Sequence, residues 1–119
     1  MIFSKNANTS AVAIKSVEGE AIAGSLFVKP LIRGEEMSLM EIQLSAGAAS
    51  PPHAHDHESL IYVVKGKLKA VVGDLTVVLG PGDVCLHPRG VSHSLEALEK
   101  STFVEIKSPA PDLTRVLGQ

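Results

Sequence analysis

From residue 60 onward, short β-branched runs alternate with residues that favour tight turns. The runs cover 60–64, 68–72, 75–79, 84–86, 93–95 and 102–107. They are separated by Lys65-Gly66-Lys67, Gly73-Asp74, Gly80-Pro81-Gly82-Asp83, Pro88-Arg89-Gly90 and Glu99-Lys100. Runs this short and this regularly punctuated predict strands, in which successive side chains face opposite sides. Upstream, 37–44 predicts another strand, ending at the small-residue loop 45–52. Residues 11–17 and 21–28 predict two more, separated by Glu18-Gly19-Glu20. No stretch carries a sustained helical period, so the chain reads as all-β. A closed barrel is the preferred architecture, because closure removes exposed strand edges. The tail from Ser108 through Pro109 and Pro111 to Asp112 cannot continue a ladder, and Asp112 could cap one short turn of helix through Arg115 to Leu117.

Within 37–44, Glu41 and Gln43 alternate with Met40, Ile42 and Leu44, so one face is polar. That face could line a barrel pocket or meet water.

Length and composition narrow the classes. A chain of 119 residues fits one domain, 1–119, and can bury a core without covalent staples. Net charge is -2 with acids and bases interspersed, so neither nucleic acid nor a membrane surface is an expected partner. No apolar run approaches the roughly 20 residues that span a bilayer, and the first ten residues lack the apolar segment of an export signal. Cys85 is the only cysteine, which excludes an intrachain disulfide and a Cys-rich zinc site and fits a cytoplasmic setting. Flanked by Val84 and Leu86, it reads as a small hydrophobe. Only Phe3, Phe27, Phe103 and Tyr62 are aromatic, too few for a stacking platform.

The candidate chemistry lies in histidines. His53 and His55 are one residue apart, so on an extended chain they share a face and can offer neutral imidazole nitrogens to one cation. A distant strand must then bring in His93. Around them, Gly47, five residues, His53-Ala54-His55, then Ser59, six residues and Gly66 resembles the first motif of the cupin superfamily. Gly82, five residues, Pro88-Arg89-Gly90, two residues and His93 resembles the second. The motifs occupy 47–66 and 82–97, and the 15 residues between them match the short form of that fold.

The resemblance implies a double-stranded β-helix, the RmlC-like jelly-roll barrel, in a single cupin domain. It also implies a divalent transition metal on His53, His55 and His93, a small-molecule ligand or substrate, and a homodimer formed through the N-terminal strands. Two positions depart from the pattern. Ser59 stands where the family carries a glutamate or glutamine ligand, and Ala97 where an asparagine often closes the second motif. Serine is a poor ligand, so three neutral imidazoles and water would complete the site. Without the carboxylate the centre keeps a full +2 charge and polarises bound oxygen more strongly. Zn, Ni or Cu tolerate such a site, whereas Fe or Mn should be held less firmly.

His57 and Glu58 are candidates to compensate: an extended chain puts His57 on the face of His55 and turns Glu58 away. Ser59 could hydrogen-bond a metal-bound water, a substrate or a neighbouring carbonyl, and nothing around it forms a catalytic triad. His87, beside Pro88, reads as structural, and Arg33, Arg89 and Glu105 carry no spacing signal.

These features favour Lewis-acid chemistry, of isomerase or lyase type, on a polar carbonyl- or sugar-derived metabolite. The His-x-His-x-His-Glu run, with Phe103 followed by Ser108-Pro109, resembles small cupins of unsaturated-uronate metabolism. Those relatives carry glutamine at the place of Ser59 and an arginine after the prolines, where this chain has Ala110-Pro111. The alternatives are a non-catalytic ligand-binding module and an Fe(II) dioxygenase.

Overall fold

A computed structural model describes residues 1–17 and 19–110. Among the described residues nine strands form where the alternating runs predict them: β1 (Val12–Val17), β2 (Glu20–Arg33), β3 (Ser38–Leu44), β4 (Glu58–Lys65), β5 (Leu68–Val72), β6 (Leu75–Leu79), β7 (Val84–His87), β8 (His93–Ala97) and β9 (Ser101–Ser108). Among the described residues the only helical element is a 3-10 turn at Asn6–Asn8, so the all-β expectation is borne out. The helical turn capped by Asp112 lies outside the described residues.

Several boundaries shift from expectation by a residue or two, and the extensions of β2 and β4 have physical reasons. β2 runs on through Pro30 to Arg33, and the register against β3 shifts between Pro30 and Ile32. The irregularity absorbs a residue that has no N–H to give to the ladder. β4 starts at Glu58 rather than Leu60, because partners exist on both sides: Ser59 lies opposite His87 of β7 and opposite Lys107 of β9.

All pairings are antiparallel. One sheet has the order β1-β2-β3-β9-β4-β7 and the other β6-β5-β8. Their inner faces supply the core, including Met40 and Ile42 of β3, Ile61 and Val63 of β4, Leu68 of β5 and Phe103 of β9. Glu41 and Gln43 take the opposite face of β3, where Glu41 hydrogen-bonds both Asn6 and Gln43, so the apolar side of this strand lines the interior.

Between β3 and β4 the chain has little regular structure, yet 47–53 runs along β8 as a seam. Gly47 N–H donates to Ala97 C=O (2.8 Å), Ser50 N–H to Leu95 C=O (3.0 Å), and His53 and His93 exchange both backbone bonds (3.0 and 2.8 Å). Ala49 bridges Ala23 of β2 and Glu96 of β8, tying the two sheets together.

The outer face of β4 and β7 is apolar and exposed. Leu60 pairs with Leu86 and Tyr62 with Val84, and all four side chains are about half exposed or more. Val64 extends the same face.

Gly66 turns β4 into β5 at φ +94°, and a Cβ there would overlap Ser101 Oγ and lie 2.6 Å from the Lys100 carbonyl oxygen. The left-handed backbone alone costs a larger residue about 1–2 kcal/mol, and the overlap with backbone atoms adds to it. Gly66→Ala should therefore lower unfolding free energy by at least ~2 kcal/mol in urea titrations; a midpoint within error of wild type would show that the turn relaxes freely.

Candidate metal centre

The first motif delivers its histidines on an extended segment just before β4 begins, not on a strand as the spacing suggested. The extended period survives there nevertheless: His53, His55 and His57 are half-buried and Ser59 is buried, while Ala54, Asp56, Glu58 and Leu60 are exposed. His93 opens β8 directly opposite His53. One ligand nitrogen from each of His53, His55 and His93 lies within 4.8 Å of the others. The rings of His53 and His93 are 4.4 Å apart, and those of His53 and His55 are 4.5 Å apart.

Backbone carbonyls orient two of these rings. His53 Nδ1 lies 2.7 Å from Pro51 O, and His93 Nδ1 lies 3.3 Å from Val91 O. A carbonyl can only accept, so Nδ1 carries the proton and Nε2 keeps its lone pair, the arrangement in which metal-binding histidines are held. Nitrogens bound tetrahedrally to one ion at about 2.1 Å lie roughly 3.4 Å apart, so a pair at the 4.8 Å limit would have to close by more than about 1 Å on binding. The donor set fits a divalent transition ion, and these three residues could hold one.

Protonation favours the same use. His55 is pushed down to about 3 by burial first, then by the charge of Lys107 and its histidine neighbours. His87 falls to about 4 through burial, then His53 and Lys107. His93 also falls to about 4, from burial, His87 and His53, against an opposing pull from the Val91 carbonyl and Glu105. All three are neutral at pH 7 and present lone pairs.

The other candidates separate. His57 stacks on His55 at 4.6 Å and lines the interior cavity, whereas Glu58 points outward and is exposed. Ser59 faces inward, and its Oγ lies 3.5 Å from His87 Nδ1 rather than on a carbonyl. Cys85 packs against the core, and burial raises its thiol pKa, consistent with a small hydrophobe.

Sequence reasoning missed three residues. His87, read as structural beside Pro88, lines the cavity, stacks on His93 at 3.9 Å, and is 2% exposed. Glu105 and Lys107 enter the same cavity from β9, with Lys107 Nζ 4.0 Å from Glu105 Oε1. The available signal was parity: Phe103, Glu105 and Lys107 share one face of β9, and Phe103 belongs in the core. Val104 and Ile106 obscured it, because they suggest that their own face is the buried one.

The cavity holds about 620 Å³. Histidines, Glu105 and Lys107 form part of its wall, and Ile14, Val28, Met40, Ile42, Leu95 and Phe103 form an apolar part.

A family model described as the Cupin domain matches residues 40–106. Among solved structures, an RmlC-like cupin from Shewanella frigidimarina NCIMB 400 is 27% identical, with 94% of each chain covered and a TM-score of 0.81. KdgF from Halomonas sp. is 24% identical over 96% of this chain and 98% of that one, with a TM-score of 0.81. The polyketide cyclase RemF from Streptomyces resistomycificus is 23% identical over 91% and 79%, with a TM-score of 0.77. The last two are likenesses of fold. No curated protein matches the chain.

His55, His87 and His93 stay neutral in the folded protein well below their ordinary value of 6.5. The unfolded chain thus binds more protons at low pH, so their stabilising contribution is complete above about pH 6.5 and is lost as pH falls towards 4 and then 3. Chelator-treated protein should show a urea midpoint that declines steadily below pH 6.5. A midpoint unchanged down to pH 4 would mean that the rings take up protons without unfolding.

Proposed function

This chain belongs to the cupin family, and on that premise we propose a metal-dependent barrel in which His53, His55 and His93 hold one divalent transition ion. The convergence of three imidazoles, two of them oriented by backbone carbonyls, is the observation that carries this reading. Zn, Ni or Cu suits an imidazole-only set better than Mn or Fe, because the family's carboxylate position is Ser59. Such an ion supplies Lewis acidity, polarising a carbonyl oxygen without itself changing redox state.

The reaction class is isomerase or lyase chemistry on a carbonyl-bearing small molecule. Glu105 is the carboxylate on β9 that lines the cavity, placed to take a proton from a substrate carbon and return it. Lys107 Nζ lies beside it, 4.0 Å from Glu105 Oε1. His87, outside the ligand trio, is neutral and can exchange protons with substrate oxygens. The apolar part of the wall excludes water from this proton transfer and favours a carbonyl compound over a hydroxyl-rich sugar. A carboxylate base inside the cavity favours catalysis over a purely ligand-binding module, and the serine at 59 weighs against an Fe(II) dioxygenase.

A homodimer and a cytoplasmic setting belong to the same proposal. The single cysteine supports the second. For the first, the paired apolar face of β4 and β7 is the better candidate than the N-terminal strands, since β1 and β2 expose only Phe27 among their large apolar side chains.

Protein purified without a histidine tag should carry close to one equivalent of metal by elemental analysis. His53→Ala and His93→Ala should each weaken metal retention by tenfold or more, whereas a metal-free wild type with the same stability in chelator would rule the centre out. Leu60→Asp should convert a dimer to a monomer in light scattering; a wild type that is already monomeric at high concentration refutes the dimer.

A further inference from the structure

His87, Ser59 and Lys107 form one row across three strands. Ser59 of β4 lies directly opposite His87 on β7 and directly opposite Lys107 on β9. All three side chains face inward and are at least nine-tenths buried, at 2%, 2% and 7% exposure. Cross-strand neighbours sit roughly 5 Å apart at Cβ, so a short serine separates two longer side chains that both line the cavity.

Both flanking groups have hydrogen-bonding capacity to spare. His87 Nε2 is buried and has no hydrogen-bond partner among the described residues. If the Ser59 hydroxyl donates to His87 Nδ1, 3.5 Å away, Nε2 carries the proton and becomes a donor. Among the described residues the one ion-pair partner of Lys107 is Glu105, at 4.0 Å, beyond hydrogen-bonding distance. A buried ammonium is costly unless an anion approaches it closely. The row thus offers an imidazole N–H and an ammonium on either side of Ser59, while the Glu105 carboxylate stays beyond hydrogen-bonding distance of Lys107.

We propose that this row is a carboxylate subsite, and that the ligand is a carboxylic acid with an apolar body and an oxygen beside the acid group. The ligand's carboxylate takes the place that a protein carboxylate at position 59 would fill. Its neighbouring oxygen faces the histidine cluster, and its hydrocarbon part lies against Ile14, Val28, Met40, Ile42 and Phe103. A 2-oxo acid with a branched or aromatic side chain meets all three requirements, whereas a uronic acid has the carboxylate but would bury its hydroxyls against aliphatic carbon. This substrate class deepens the metal-dependent reading and rests on it for the oxygen contact, but the row itself is built without metal.

The test is titration calorimetry of 4-methyl-2-oxopentanoate, its amide and galacturonate into wild type, Lys107→Met and Ser59→Glu, each zinc-loaded and chelator-treated. The branched oxo acid should bind wild type at least tenfold more tightly than galacturonate does. Lys107→Met should lose at least tenfold in affinity for the oxo acid and keep its affinity for the amide. Ser59→Glu should lose the oxo acid as well, because its new carboxylate would pair with Lys107. Equal oxo-acid affinity in Lys107→Met and wild type overturns the subsite, and tighter binding of galacturonate overturns the apolar body. Failure of the metal reading shows separately, as a wild type that holds no zinc, and the chelator-treated comparison still decides the row.

Discussion

The backbone seam between residues 47–53 and β8 is the constraint on which the site depends. This segment has no apolar alternation to bury, so its place is set by main-chain donors and acceptors that have few other partners inside a closed barrel. By exchanging both backbone bonds, His53 and His93 become nearest neighbours although they are forty residues apart in sequence. Because Ala49 bridges both sheets, the contact that closes the barrel also assembles the histidine cluster. Side-chain chemistry and fold closure therefore share the same few hydrogen bonds.

Electrostatics inside the barrel follow from that closure. All five histidines line one cavity, together with Lys107. Burial and mutual repulsion hold His55, His87 and His93 neutral, and neutral imidazole is what a cation requires. Lys107 intensifies the effect, and Glu105 offsets it only in part at 4.0 Å. With a serine at position 59, the interior has cationic and hydrogen-donating groups in excess of its carboxylates. A divalent ion would raise that excess further, so an anionic ligand balances the site.

Much of this organisation was legible along the chain. Every predicted run became a strand, because period-two patterning and glycine or proline turns act locally and point to the same pairing. The spacings around His53, His55 and His93 picked out three residues that the fold does bring together. Two kinds of residue were harder to read. His87 and Lys107 look like ordinary polar residues at strand ends until their cross-strand neighbour, Ser59, is known. The extension of β2 through Pro30 was hidden because proline argues against a strand unless a register shift accommodates it.

The sequence by itself determined the all-β class, the order of strands and turns, and the histidines with the spacing to share a cation, since these rest on local periodicity. Only the tertiary structure decided which face of β9 is interior, which side chains flank Ser59, and that the polar face of β3 turns outward. The physical reason is that alternation defines two faces of a strand without saying which is buried. That choice is made when nonlocal neighbours pair and the barrel closes.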